Sequence, residues 1–545
     1  LSGRLIKGHG GELALAALRP FGVDTLFTLS GGHIFPLYDA AVKDGDVRIL
    51  DVRHEQTATF AAEGVAKLTR GPGVAALTAG PGVTNGISAV TTAHFNGSPL
   101  IVLGGRAPQA RWGAGSLQEF DHVPVLAPIT KHAATVTETS EMGRDVHEAV
   151  LTALTPHRGP VFLDLPLDVI FAEAEGDVPD AVTPELVPFD VDEVTRAAAL
   201  IAGAQRPAVV AGSDVYWGGA WDALRAFVET LRVPTFVNGL GRGCLPADHD
   251  LAFSRTRGLL KTDADLVVVI GTPLDFRLSF GSFGEAQVIH VLDSPDGHAE
   301  HVVPAAEPAG DLTAILTALA DVSGIGGVAD HEPWIAKLRD AENAALAADA
   351  PLLAAAADGP IKPTRIYGEL RARLDRDAIV VCDGGDFVSY AGKYIDSYEP
   401  GCWMDPGPYG CLGTGMGYAI AARITHPDRQ VVVLLGDGAA GFSLMDVDSL
   451  VRHQLPVVMV MGNNGIWGLE KHPMQAIYGY DVAADLQPGC RYDQVVASLG
   501  GAGEVVEQAS DIGPALDRAF ASGVPYLVNV LTDPADQYPR TSNLG

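Results

Sequence analysis

VVVLLGDGAAGFSLMDVDSLVRHQLPVVMVMGNNGIWGLEK, residues 431–471, contains two short apolar runs, Val431 to Leu435 and Val457 to Met461. The first stops at Gly436-Asp437-Gly438 and the second at Gly462-Asn463-Asn464-Gly465, with a helical stretch expected between them from about Phe442 to His453. Runs this short, bounded by Gly and Pro, read as strands of a buried parallel sheet. A strand, a crossover helix and a parallel strand bring both strand ends to one edge of that sheet. Asp437 and Asn464 are 27 positions apart in sequence but are therefore expected side by side. A carboxylate and an amide oxygen suit a hard cation, Mg²⁺ or Ca²⁺. The glycines leave backbone N–H groups open to phosphate oxygens near the helix start. Together these residues describe a site for a metal-bridged diphosphate.

Outward from this stretch the same alternation recurs. In residues 1–180, strands are expected at Thr25 to Leu29, Val47 to Val52, Val74 to Thr78 and Leu100 to Leu103, and a helix at about Thr57 to Leu68. Several of these strands end at glycine turns, the pattern of a doubly wound α/β domain. Residues 177–190 are acidic, rich in Pro and without periodicity, which suits a linker. A second α/β unit is expected over 190–345, with strands near Ala208 to Ala211, Thr235 to Val237, Leu266 to Ile270 and Val288 to Leu292. The Ala- and Pro-rich residues 346–363 read as a second linker, and 360–545 form the third unit, which holds the quoted stretch. Pro534 to Gly545 has no periodicity and is expected to be either a disordered tail or a flap over a ligand.

A length of 545 residues allows about three domains, each able to bury its own core. Although 47% of residues are hydrophobic, no apolar run reaches the ~20 residues of a membrane span. The opening LSGRLIKGHGG lacks the basic and apolar layout of a secretion signal. The five cysteines show neither CxxC nor metal spacing, so reduced thiols and a cytoplasmic location are expected. A formal charge of −30 argues against nucleic acid or an anionic membrane as partner.

The order GDG, 24 residues, NN resembles the signature of thiamine-diphosphate (ThDP) enzymes. Three α/β domains with this motif in the third are similar to the pyruvate-decarboxylase-like architecture of that family. The resemblance implies a first domain that binds the aminopyrimidine, a third that binds the diphosphate, and active sites between subunits of a homodimer or homotetramer. Its implied cofactors are thiamine diphosphate and Mg²⁺, with Asp437, Asn464 and the Ile466 carbonyl as metal ligands. Gly436, Ala439 and Ala440 would face the phosphates, with Asp386 and Phe387 of DGGDF bordering them. Glu55, in RHEQTATFAAEGVAK, matches the carboxylate that meets the pyrimidine N1′. As an acid at a helix start it also favours the helix dipole. Leu412, in PYGCLGTGMGY, aligns with the apolar wedge under the cofactor, and the Gly410 carbonyl with the acceptor for its 4′-amino group. Trp467 would lie beside the cofactor, unless it is plain core.

Within the family two resemblances compete. FTLSGGHIFPLYDA and TAGPGVTNGISAV in the first half are similar to acetolactate synthase. GMGYAIAA and GDGAAGFSLMDVDSLVRHQLPV in the third domain look more like oxalyl-CoA decarboxylase and 2-hydroxyacyl-CoA lyase. The mixture resembles the actinobacterial 2-hydroxyacyl-CoA lyases, which implies cleavage of a substrate such as 2-hydroxyisobutyryl-CoA to a ketone or aldehyde and formyl-CoA. The alternative is an acetolactate synthase-like enzyme or another 2-oxo-acid or oxalyl-CoA decarboxylase. Glu470 lies six residues past Asn464, where a carboxylate can take the hydroxyl proton of a bound 2-hydroxyacyl-CoA. An ion pair with Lys471 is the plainer expectation for it. His33 after Gly31-Gly32, and Gln118 in SLQEF, are further candidates for contact with substrate, against a structural histidine and a solvated loop residue. Arg255, Arg257 and Arg277 are candidate contacts for the CoA nucleotide, against scattered surface cations. The middle domain could also hold ADP, less readily FAD, or nothing. A non-catalytic scaffold is disfavoured because Glu55, Asp437 and Asn464 are all present.

Overall fold

Val, Ile, Leu and Ala dominate the strand segments, and β-branched and apolar runs of this kind favour sheets buried on both faces. The computed structural model describes residues 3–321, 329–355 and 359–539. The first unit carries β1 (Gly3–His9), β2 (Thr25–Thr28), β3 (Arg48–Asp51), β4 (Gly73–Leu77), β5 (Leu100–Arg106), β6 (His132–Thr135), β7 (Val161–Pro166) and β8 (Glu173–Pro179). The second carries β9 (Pro207–Ala211), β10 (Thr235–Val237), β11 (Leu266–Ile270) and β12 (Gln287–Val291). The third carries β13 (Ile379–Asp383), β14 (Trp403–Met404), β15 (Val431–Gly436), β16 (Val458–Asn463), β17 (Ala502–Val506) and β18 (Tyr526–Leu531).

Three parallel sheets result, ordered β3-β2-β4-β5-β7-β6, β10-β9-β11-β12 and β14-β13-β15-β16-β18-β17. The first and third follow the same path, so the chain holds two copies of one winding with a smaller sheet between them. Helices cover the sheet faces, the α/β architecture expected.

Three local readings are corrected. The helix expected from Phe442 begins at Asp437, runs to Ser443 and resumes over Val447–Arg452 after a short 3₁₀ turn. Asp437 is thus a first-turn residue, where an acid favours the dipole. The start of the first linker is strand β8, paired antiparallel with β1 through Gly3↔Pro179 to His9↔Glu173. That edge pairing satisfies backbone groups which sequence periodicity could not reveal. Residues 346–354 are also helical, as the end of a helix spanning Glu332–Ala354. Its alanines favour a helix, and Pro351 sits in the last turn. Of the C-terminal stretch, residues 534–539 are described. Asp536 accepts from the Tyr390 hydroxyl at 2.9 Å, and Tyr538 packs edge-on against Tyr390 at 4.9 Å. Residues 540–545 lie outside the described part.

The first and third units meet along helices Glu55–Thr69 and Thr414–Thr425. The approach is close because small residues face each other. A Cβ on Gly64 would lie 2.6 Å from the Ala421 Cβ, and one on Gly417 would lie 2.5 Å from the Phe60 Cβ. Inside this seam lies a buried polar cluster. Lys67 Nζ sits 3.2 Å from Glu63 Oε1 and donates to the Tyr418 hydroxyl at 2.7 Å, which in turn donates to Glu63 Oε2 at 2.7 Å. Asn96 and Ser98 each donate to Glu63 at 3.0 Å. Buried charge this fully paired ties the two units together in one orientation.

Candidate functional site

The carboxyl ends of β13, β15 and β16 build one rim of the site, where open parallel sheets bind ligands. Gly436 and Gly462 are ladder partners, so Asp437 and Asn464 emerge next to each other. The Gly465 N–H donates to Asp437 Oδ2 at 2.9 Å, and the Ile466 N–H to Asn464 Oδ1 at 3.2 Å. Asp437 is only 3% exposed. Burial pushes its carboxyl up to about 6, with Asp386 adding to the rise and the backbone N–H groups of Gly465, Asp437 and Asn464 opposing it. None of the groups that shift it is basic. A buried carboxylate with an amide oxygen beside it and no basic side chain acting on it is the donor set a hard divalent cation fits.

A cavity of about 450 Å³ opens above this rim, between the third and middle domains. Of the sequence candidates, Gly410, Leu412, Asp386, Gly436, Asp437, Ala439, Asn464, Ile466, Trp467, Glu470 and Arg277 line it. Gly410 has a φ of +69°, which a residue with a Cβ adopts only with strain. Trp467 packs over Gly438, where a Cβ would come within 2.5 Å of the indole. Two third-domain candidates are not among its lining residues. Ala440 is turned into the core, 2% exposed, and Phe387 is buried against Tyr367 at a ring separation of 5.2 Å. The middle domain adds Asn238, Gly239 and Phe276 to the wall, which sequence patterning did not single out.

Asp383 has a role that the sequence only hinted at. Its carboxylate accepts from the N–H groups of Gly413 and Gly415 at 2.9 and 2.8 Å, which anchors Leu412 and the start of helix Thr414–Thr425. Burial raises this carboxyl to about 6, and the same N–H groups counter the rise. From the other side the Gln56 side-chain amide donates to the Leu412 carbonyl at 3.0 Å.

The first-domain candidates are not among the residues lining this cavity. Glu55, 6% exposed at the start of its helix, accepts from the Asn85 side chain at 3.0 Å. No sequence signal marks Asn85, because the contact spans 30 residues. His33 and Gln118 line a separate first-domain cavity of about 570 Å³, with Thr78 and Arg111. His33 Nδ1 lies 3.4 Å from the Thr78 hydroxyl. Burial holds its imidazole below the ordinary histidine value. His33 and Gln118 therefore lie in a different cavity from the third-domain candidates.

The proposed CoA cations are already engaged. Arg255 pairs with Asp349 at 3.0 Å, Arg257 donates to the Arg277 carbonyl at 2.7 Å, and Arg277 is chelated by Asp275 at 2.7 to 3.0 Å. Arg255 and Arg257 line a further cavity of about 450 Å³, between the middle and third domains. Lys471 pairs with Asp481 and Asp485 at 3.0 and 2.5 Å. Among the described residues no helix is long and apolar enough to cross a membrane.

Three family models match the chain. Residues 8–125 match the N-terminal TPP-binding domain of thiamine pyrophosphate enzymes, 194–319 the central domain and 383–530 the C-terminal TPP-binding domain. The chain is 53% identical over 543 residues to a probable acetolactate synthase of Mycobacterium bovis, with 98% of each chain covered. An acetolactate synthase large subunit of Mycobacterium tuberculosis matches to the same extent. A 2-hydroxyacyl-CoA lyase 2 of Caenorhabditis elegans is 34% identical, with 97% of this chain and 90% of the relative covered.

Proposed function

The chain belongs to the family of thiamine pyrophosphate enzymes, and from that premise we propose that it joins or cleaves the bond next to the carbonyl of a 2-oxo acid such as pyruvate, as an acetolactate synthase-like enzyme. This reverses the weight of the sequence reading, which put the acyl-CoA lyase first. What favours the oxo acid is the 53% identity to acetolactate synthases along nearly the whole chain, against 34% to a lyase. For the chemistry itself the carrying observation is the buried Asp437 carboxylate beside Asn464 on the wall of a cavity of sufficient size.

When bound, thiamine diphosphate supplies a nucleophilic thiazolium carbon and an electron sink for the bond that breaks or forms. The chain's own residues then hold and orient. Asp437, Asn464 and the Ile466 carbonyl would hold Mg²⁺, and Gly436 and Ala439 would leave room and N–H groups for the phosphates. Leu412 would support the cofactor, and the Gly410 carbonyl would accept from its amino group. Glu55 would hold the proton at the pyrimidine nitrogen. Glu55, His33 and Gln118 reach that site from the first domain of a second copy of the chain, which makes the working unit at least a homodimer. His33 and Gln118 would then face the reacting carbon.

A second reading, the 2-hydroxyacyl-CoA lyase, is favoured by Glu470. Its presence on the cavity wall suits a base for a substrate hydroxyl. The two are separated by supplying ThDP and Mg²⁺ with either pyruvate or 2-hydroxyisobutyryl-CoA. Acetolactate or CO₂ from pyruvate, with the thioester untouched, supports the first reading. Acetone and formyl-CoA from the thioester, lost in Glu470→Ala, with pyruvate inert, overturns it in favour of the second.

A further inference from the structure

Three neighbouring strand ends of the first sheet converge on a buried assembly that the proposed chemistry does not use. Arg106 ends β5, Asp164 lies near the end of β7 at the register position of Gly104, and Gly80 follows β4. Between them sits His122, 1% exposed, with Asp164 at 0% and Arg106 at 9%. The Gly80 N–H donates to His122 Nε2 at 3.0 Å, so that nitrogen carries no proton. The proton is then on Nδ1, which donates to Asp164 Oδ1 at 3.0 Å. Arg106 donates to the other Asp164 oxygen and to Asp121 at 3.2 Å, and its guanidinium stacks over Trp112 at 3.7 Å. A desolvated Asp–Arg pair thereby grips both ends of the loop from Trp112 to His122.

That loop carries Gln118 in a left-handed conformation, φ +58°. Gly80 is left-handed as well, φ +62°, and a Cβ placed on it would stand 3.0 Å from the Gln118 Cβ. Left-handed backbone at a residue with a side chain costs about 1 kcal/mol or more and persists only where its surroundings hold it. Here the surroundings are the Gly80 backbone, itself held by His122.

We propose that His122, oriented by Asp164 and Arg106, is a positioning residue that sets Gln118 on the wall of the first-domain cavity through the Gly80 N–H. The proposal rests on the reading that Gln118 faces the reacting carbon. A misplacement of about 1 Å at such a residue can lower turnover by a factor of about 100.

The test compares the full-length holoenzyme with His122→Phe, which keeps a ring but removes the acceptor, and with His122→Gln, whose amide oxygen can accept from Gly80. Four quantities are read: kcat with pyruvate, ThDP affinity, melting temperature, and hydrogen–deuterium exchange of residues 112–121. The expected result is a kcat lower by about 10- to 100-fold in His122→Phe, with ThDP affinity unchanged and faster exchange in that loop. His122→Gln should restore most of both. The proposal is overturned if His122→Phe keeps kcat within about threefold of the wild type. It is equally overturned if kcat, ThDP affinity and melting temperature fall together with no rescue by glutamine, since the role would then be packing alone. If the wild-type protein turns over no pyruvate, the functional reading has failed on its own account. Loop exchange still decides the positioning, because unchanged exchange in His122→Phe overturns it and faster exchange with glutamine rescue supports it.

Discussion

Replacing Lys67 with methionine should unfasten the first domain from the third. The lysine is 2% exposed, and Glu63, which it pairs with at 3.2 Å, is fully buried. Methionine fills nearly the same volume, so little cavity cost arises, and the loss is electrostatic. Removing one partner of a buried ion pair typically costs about 3–5 kcal/mol, because the remaining charge is left uncompensated. Tyr418, Asn96 and Ser98 still donate to Glu63, but they do so in the wild type too and offset nothing. The bond from Lys67 Nζ to the Asp405 carbonyl at 3.2 Å is also lost, worth about 1 kcal/mol. A destabilisation near the middle of that range, about 4 kcal/mol, is expected for the seam, or roughly 8–16 °C for a unit of 150–250 residues. The double variant Lys67→Met, Glu63→Gln removes the stranded charge and should recover about 2 kcal/mol relative to the sum of the singles. Differential scanning calorimetry of the three variants measures this cycle. A single-variant loss below about 1 kcal/mol, or a double variant worse than the sum, would refute the reasoning.

Two other outcomes follow from the site and from a contact between the first and middle domains. Asp437→Ala should weaken Mg²⁺-dependent ThDP binding by at least about 100-fold, read as lost quenching of Trp467 fluorescence, while the fold persists. Unchanged affinity would remove Asp437 from the metal site. His157, in the first domain, faces Asp214 and Asp293 of the middle domain at 3.6 and 3.1 Å. Burial alone would lower its pKa, but the two carboxylates raise it to about 9. A histidine raised on folding stabilises fully below its ordinary value of about 6.5 and loses that contribution as pH rises through about 9. Melting temperature should therefore fall between those pH values more steeply in the wild type than in His157→Gln, and parallel profiles would contradict the assignment.

The long apolar strands were legible because their composition alone decides them. Leu266–Ile270 and Thr235–Val237 lie where the apolar pattern put them, and the run from Val431 ends at the expected turn. Strands β1 and β8 were not legible, since GRLIKGH and EAEGDVP alternate weakly and depend on each other for pairing. The Asp437–Asn464 juxtaposition could be read from local sequence because one β–α–β crossover creates it. Asn85 on Glu55, His122 on Gly80 and Glu63 with Lys67 and Tyr418 could not, because each depends on how separate elements pack. Arg255, Arg257 and Arg277 stood out as cations, but their partners Asp349, the Arg277 carbonyl and Asp275 are visible only once folded, apart from Asp275 two residues away.

The central claim is that a working site needs the third domain of one chain and the first domain of another. Co-expression of Glu55→Gln with Asp437→Ala tests it. Each variant alone should be inactive. Random pairing makes half the dimers hybrids, each with one intact site of two, so activity should return to about a quarter of wild type. No recovery in isolated hybrid dimers, with both variants folded and paired, would contradict the claim and return Glu55 and Asp437 to a single chain.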